Sequence, residues 1–379
     1  MSTRSNHLSI ALALLAAVAV SAQPAAFDAP SSVKIQLTAD APVALVSADW
    51  GQSRPTARGG ALVLDLHSAL SLRNTTQRRI RGITLQVLAQ EVTPGGRGSV
   101  SVPCLDVAPG EAFPVRVDLR LLRPLTAATG PLVTVSVDGV LFEDLSFYGP
   151  NRLNLRRAMT AWELEAQRDR RHFQSVLAAG GAENLRKELL VSMARQADRP
   201  RVDVQVARVG RATVVEPERQ LEFAFLRFPD APVEPVAGMA SIAGGEARAP
   251  RLEVHNRSNR AVRYLEVGWL LRDRNGREFL AGSVPTNLTL APGQKSQVLD
   301  QNTALRFSDR PSQPLAIESM TGFVSQVEFA DGRVWVPSRS EKADPRLLRA
   351  LAPSAEEERL TGIYKRKGLQ AVVDELKKF

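Results

Sequence analysis

The chain has few of the residues that most often carry chemistry or crosslinks. In 379 residues there are 1 cysteine, 4 histidines, 3 tyrosines and 8 lysines. One cysteine excludes a disulfide scaffold and a cysteine-held structural zinc. His7, His67, His172 and His255 are scattered along the chain, so there is little material for a metal centre. The sequence calls for no metal and no cofactor. It contains no Gly-x-Ser-x-Gly elbow, His-Glu-x-x-His helix, phosphate loop or dinucleotide fingerprint. It therefore argues against an enzyme and offers no catalytic residue. After the N-terminus no run is apolar for long enough to cross a bilayer.

What the chain does have is arginine. Of 49 basic residues 41 are arginine, against 40 acidic residues, for a formal net charge of +9. Nucleic-acid binders concentrate such charge into a stripe interleaved with aromatics. Here arginines and acids alternate along the whole length and aromatics are 5%. That pattern disfavours nucleic acid and fits a solvated surface with an arginine-rich codon bias. Attraction to an anionic envelope polymer or glycan is the charge-based alternative.

The first residues have the form of an export signal. Arg4 supplies a positive start, Leu8–Val20 is an apolar run, and Val20-Ser21-Ala22 is a small-residue cleavage pattern. Cleavage after Ala22 leaves a mature chain from Gln23, periplasmic or extracellular. As a helix the run measures about 20 Å, short of the roughly 30 Å hydrocarbon core, so a membrane anchor is not expected. Cys104, within SVSVPCLDV, has no His or Lys beside it to activate it and reads as a buried, inert thiol.

The chain also repeats itself. Displaced by 182 residues, LSLRNTTQRRIRGITLQVL from Leu70 falls on LEVHNRSNRAVRYLEVGWL from Leu252. Asn74 meets Asn256, Arg78 meets Arg260, and Arg81 meets Arg263, with matched apolar alternation between them. LDVAPGE from Leu105 then meets LTLAPGQ from Leu288. This is an internal duplication of one domain. At its far end the reading pairs Asp138-Gly139 with Asp331-Gly332.

Both copies alternate with period two, as in ITLQV from Ile83 and YLEVGWLL from Tyr264, so each reads as half-buried strands. Asn275-Gly276, Asp138-Gly139 and Asp331-Gly332 are expected to close hairpins. The Asp273-Arg274-Asn275-Gly276 run lacks the later ligands of a calcium loop and is expected to be one of those turns. WLLRD from Trp269, after an Asn-x-Ser start at Asn256 and before LAPGQ, resembles the FxLYD family of bacterial extracellular domains. Trp269, Leu271 and Asp273 match its aromatic, leucine and aspartate, while Arg272 departs from its tyrosine. In the first copy Val87, Ala89 and Glu91 hold those places. The resemblance implies an immunoglobulin-like sandwich with no catalytic residues.

Between the copies, Leu155, Met159, Trp162, Ala166, Phe173 and Leu177 form one helical face. Gly180-Gly181 ends that helix, and Leu185, Leu189 and Met193 begin an antiparallel second one. The first helix is expected to clasp one sandwich through Trp162 and Phe173. Its opposite face carries Arg156, Arg157, Glu163, Glu165, Arg168, Asp169, Arg170 and Arg171. In the tail, Asp344-Pro345 and the Ser354/Glu357 capping box start helices, and Leu369, Val372, Val373 and Leu376 form a further apolar face.

The sequence thus predicts a mainly β protein with α. A signal peptide (1–22) precedes a first antiparallel sandwich (23–150), a helical hairpin (151–199), a second sandwich (200–340) and a helical tail (341–379). Its expected role is non-catalytic binding of a protein or cell-envelope partner, with no transmembrane segment in the mature chain. The alternative site for an anionic ligand is the duplicated set Arg78, Arg81, Arg260 and Arg263.

Overall fold

The computed structural model describes residues 32–91, 93–125, 131–197, 201–208, 218–299, 302–310, 313–339 and 345–379. The export signal and Asp344 lie outside the described residues. Among the described residues no helix is long and apolar enough to cross a membrane.

The chain is mainly β and folds as two sandwiches with a helical region and C-terminal helices. The first sandwich contains β1 (Val33–Gln36), β2 (Val43–Asp49), β3 (Arg54–Arg58), β4 (Ala61–Asn74), β5 (Ile80–Leu88), β6 (Arg97–Val102), β7 (Ala112–Pro124), β8 (Val133–Phe142) and β9 (Phe147–Tyr148). One sheet runs β1-β8-β5-β6 with β9 on β8. The other places β2 and β3 along β4, with β7 on its opposite edge. Alternation along the strands sends Leu64, Leu66, Leu70, Leu72, Ile83, Leu85, Val115 and Val117 into the shared core.

After α1 (Arg156–Ala197) the pattern returns in β10 (Arg201–Arg208), β11 (Arg219–Glu222), β12 (Ala224–Phe225), β13 (Val233–Ala243), β14 (Glu246–Asn256), β15 (Val262–Asp273), β16 (Glu278–Leu290), β17 (Lys295–Gln297), β18 (Thr303–Arg310), β19 (Gln313–Pro314), β20 (Ile317–Phe329) and β21 (Val334–Trp335). The pairings repeat closely. β2 opposes β4 from Val43↔Asn74 with a bulge after Leu45, and β13 opposes β14 from Val233↔Asn256 with a bulge after Pro235. In each unit the short strand just ahead of β2 or β13 runs parallel to a longer strand, β1 on β8 and β12 on β20. The second unit differs at β10, which lies parallel to β16 and antiparallel to β18 and so joins its two sheets along one side.

Core volume is redistributed between the copies. Val87 faces Val135 across β5–β8, whereas Trp269 faces Gly322 across β15–β20. A Cβ at position 322 would lie 3.1 Å from the indole, so the small residue makes room for the large one. Trp269 is fully buried, with its ring edge-on to Phe223 at 4.9 Å.

The turns follow the sequence in part. Asn275-Gly276 and Asp331-Gly332 close hairpins, with Gly276 at φ 76° and Gly332 at φ 84°. Asp138-Gly139 does not. It lies inside β8, with Asp138 at a bulge between the pairs Thr84↔Gly139 and Leu85↔Val137. The turn equivalent to Asp331-Gly332 is Asp144-Leu145, where Leu145 takes φ 63°. The correct far-end correspondence therefore joins Phe142 to Phe329, Tyr148 to Trp335 and Pro150 to Pro337. The dipeptide misled because a buried aspartate at a bulge and an aspartate in a turn look alike in sequence.

α1 breaks at Gly180-Gly181, where Gly181 has φ 68° and ψ −167°. The two arms fold back on each other, since His172 Nε2 lies 2.6 Å from Glu188 Oε1, which a straight helix would hold about 24 Å away. The tail forms α2 (Pro345–Ala350), α3 (Ala355–Lys367) and α4 (Leu369–Leu376). Ser354 caps α3 by accepting from the Glu357 amide at 3.1 Å. Phe173, Leu185, Leu189, Leu360, Val372, Val373 and Leu376 make one helical core. Phe173 is therefore buried among helices and not against a sandwich, contrary to the clasp expectation. The first arm contacts both sandwiches: Glu163 faces Arg81 of the first at 3.8 Å, and Arg157 stacks on Tyr264 of the second at 3.5 Å.

Candidate functional site

The four duplicated arginines are placed on matching elements and are each engaged. Arg78 stacks on Phe142 at 3.7 Å, bonds Ser146 at 2.6 Å and faces Asp144 at 3.7 Å. Arg260 repeats this over Phe329, with Asp331 at 3.9 Å. Arg81 is buried, donates to Asp106 at 2.6 Å, and lies over the Phe379 ring beside Arg170. Arg263 is half exposed and pairs with Glu328, which also faces Arg157. Arg81 thus joins the first sandwich to α1 directly through Glu163, Arg263 reaches α1 by way of Glu328, and Arg78 and Arg260 brace turns.

The middle of the charged face of α1, Glu163, Arg168, Asp169 and Arg170, is buried, while Arg156 and Arg171 at its two ends are exposed. Asp169 is fully buried and bonded to Arg168 and Arg339, and Glu357 of α3 accepts from Ser192, Arg195 and Arg339. Burial alone would raise the Asp169 pKa, but Arg168 and Arg339 hold it below the usual carboxylate range. Glu163 goes the other way: burial raises it, although Arg170 and Arg81 oppose the shift. Cys104, half-buried near this region, has its thiol pushed up to about 12 by burial and by Glu356 and Glu163, which leaves it an inert thiol at neutral pH.

Beside this network lies a cavity of about 650 Å³ between α1, the β15–β16–β20 face and the segment joining α2 to α3. Its origin is visible in the repeat. In the first sandwich Asp138 sits at the β8 bulge and accepts the Arg152 and Leu153 amides at 2.7 and 3.2 Å, tying down the chain that enters α1. The matching bulge of β20 carries Ser325. Its hydroxyl donates to the Glu266 carbonyl and meets the Ser283 hydroxyl, both at 3.1 Å. Val336 and Pro337, at the places of Gly149 and Pro150, line the cavity instead of closing it.

The wall is apolar at Leu280, Ala281, Phe323, Val336 and Leu351, with Trp162 on the helix side. Ala352, Ala355 and Glu358 are exposed on its rim. Its charged lining consists of Glu165, Glu266 and Glu358 against Arg157 and Arg168. Arg168 is already bidentate on Asp169, and Arg157 donates to Gln326 at 2.8 Å while facing Glu266 at 3.7 Å. Tyr264 donates its hydroxyl to Glu266 at 2.9 Å. Glu165 makes no hydrogen bond to the described residues. Burial, only partly offset by Arg168 and reinforced by Asp169 and Glu266, pushes its carboxyl up to about 7. Gln326 is buried, and its Nε2 has no acceptor among the described residues.

Glu165 imposes a sign on stability. A carboxyl with a higher pKa folded than unfolded keeps more protons in the folded state, so stability falls as pH rises from about 4.5 to about 7 and levels above that. Glu165→Gln is expected to flatten this part of a stability–pH curve measured by urea denaturation. An unchanged slope would show that Glu165 is solvated and normal.

Sequence reasoning found the arginines but not this cavity. Glu165 stood within a run of charges, and Ser283, Ser325 and Gln326 had no motif. The signal was the repeat itself: aligned on Phe142/Phe329, Ser325 stands where Asp138 does. Among the described residues no cluster of His, Cys, Asp and Glu could hold a metal ion. No protein-family model matches the chain, and no curated protein matches it.

Proposed function

We propose that this is an exported, non-catalytic binding protein in which two immunoglobulin-like sandwiches of FxLYD type and a helical clasp present a site for a protein or cell-envelope partner. The observation that carries this reading is the cavity at the β20 bulge, a position that the first sandwich fills with its own chain and the second leaves open. A volume of about 650 Å³ with apolar walls and a few convergent polar groups suits a bound side chain or small ligand. Its two serines bond each other and no histidine lies beside them among the lining residues, so the arrangement favours binding over nucleophilic chemistry. The alternative, an anionic polymer held by Arg78, Arg81, Arg260 and Arg263, has less support because each guanidinium already faces a carboxylate.

A photo-crosslinking residue at the exposed rim position Ala352 tests the reading in cells. One reproducible envelope partner is expected, lost when the cavity is filled by Ala281→Phe, with the variant shown to be folded by circular dichroism. Background crosslinks alone would sink it. N-terminal sequencing of the exported protein should begin at Gln23, and retention of residues 1–22 would overturn the export assignment.

A further inference from the structure

Resting on the binding reading above, we propose that the cavity takes a primary alkylammonium group, with Glu165 as its counter-ion and the apolar wall holding the alkyl stem. Three features point the same way. First, Glu165 has no hydrogen-bond partner among the described residues, although it lines a partly closed space where burial disfavours an uncompensated carboxylate. Structural carboxylates nearby behave differently: Asp169, Glu163 and Glu357 all have guanidinium partners. A carboxylate left without one, next to three that have one, is the place where a cation is missing.

Second, the lining is acidic in a basic protein. Three carboxylates face two guanidiniums, and both guanidiniums are committed, Arg168 to Asp169 and Arg157 to Gln326, Glu266 and the Tyr264 ring. An anion entering here would meet Glu165 and Glu266, while a cation would meet an unpaired charge. Third, the shape suits a cationic head on a hydrocarbon stem. Leu280, Ala281, Phe323, Val336 and Leu351 give apolar contact, and Trp162 offers an indole that can also receive a cation.

The buried Gln326 adds a requirement. Arg157 fixes its Oε1 by donating to it, so its Nε2 is left as a donor without an acceptor among the described residues. A ligand carrying a carbonyl near the stem would satisfy it. The shared chemistry is therefore an alkylammonium. Its source is either a free diamine or a lysine side chain of a protein partner, and the acceptor favours the latter.

Titration calorimetry on the full chain tests this with defined probes: 1,5-diaminopentane, Nα-acetyl-lysine methylamide and the uncharged Nα-acetyl-norleucine methylamide. Both amines are expected to bind at pH 8 and the norleucine compound to bind at least tenfold more weakly. The groups facing Glu165 are Arg168 and Asp169 on its own helix, Arg157 about two turns before it, Glu266 from β15 and Glu358 from α3. Lowering the pH to 5.5 protonates Glu165, which titrates near 7, and amine binding should fall more than tenfold. Glu165→Gln should abolish both the binding and its pH dependence while leaving the circular dichroism spectrum unchanged. Gln326→Leu, a second variant, should weaken the lysine probe and spare the diamine.

Tighter binding of the lysine probe identifies a protein side chain as the source, and tighter binding of the diamine a free amine. Equal binding of norleucine and lysine, independent of pH, would overturn the cation while leaving a binding cavity. Absence of binding by all three probes to folded protein would overturn the inference too. Capture of a partner through Ala352 would then show separately that the binding reading survives.

Discussion

Replacing Glu357 with alanine is expected to destabilise the helical part of the protein by about 3–5 kcal/mol. The carboxylate is almost fully buried, and three side chains converge on it: Ser192 and Arg195 from the second arm of α1, and Arg339 from the segment after β21. Taking the carboxylate away removes a charged partner from two largely buried guanidiniums. Asp169 still faces Arg339 at 3.3 Å, but Arg195 is left with the Leu348 carbonyl at 3.2 Å and loses its charged partner. Glu357→Gln keeps an acceptor oxygen and should cost less. Urea denaturation followed by helical circular dichroism measures both variants, and protease cleavage within α3 and α4 should appear first in the alanine variant. A loss below about 1 kcal/mol would mean that the apolar contacts around Leu360 and Phe173 hold the helices without the ion network.

The second large effect is a matched pair. Asn256 is fully buried; its Nδ2 donates to the carbonyls of Arg260, Leu290 and Ala291 at 2.8, 3.1 and 3.0 Å. Its Oδ1 accepts from the Ser258 amide at 3.0 Å and from the Ser258 hydroxyl at 2.7 Å. Asn74 repeats the set on Arg78, Val107 and Ala108 at 2.8, 3.2 and 3.2 Å, and accepts from Thr76. Each asparagine staples the turn after one strand to the Pro-Gly turn that leads into another. Alanine at either position leaves several backbone carbonyls short of a donor and should cost roughly 3 kcal/mol, similar in the two copies. Aspartate should be worse, because a carboxylate cannot donate to three carbonyl oxygens. Hydrogen exchange in β5 and β15 reads the two copies separately. Strongly unequal losses would show that one sandwich no longer depends on the ancestral staple.

These asparagines are legible in the amino-acid order alone, because their spacing to Pro-Gly recurs in both copies and buried amides with fixed partners do not drift freely. The alternation of β5 and β15, the break at Gly180-Gly181 and the Ser354 cap are legible for the same local reason. Each depends on contacts within a few residues or on a two-residue period. The burial of Arg168, Asp169 and Arg170 is not. A dense run of charge on a helix reads as a solvated face. Only partners distant in sequence, Arg339 and Glu357 for this helix and Arg81 for Glu163, convert it into an interior.

The amino-acid order by itself determined the repeated strand unit, its staples, the helical insert and the basic balance, since periodicity and capping are local properties of the chain. Tertiary structure decided the rest. It buried Arg168, Asp169 and Arg170 in ion pairs, set Asp138 in a bulge and not a turn, and left Ser325 too short to close the matching bulge. It also left Glu165 as a cavity carboxylate without a hydrogen-bond partner among the described residues. These outcomes depend on which distant groups meet and on how much water their meeting excludes, and neither is written in the spacing of residues along one strand or helix.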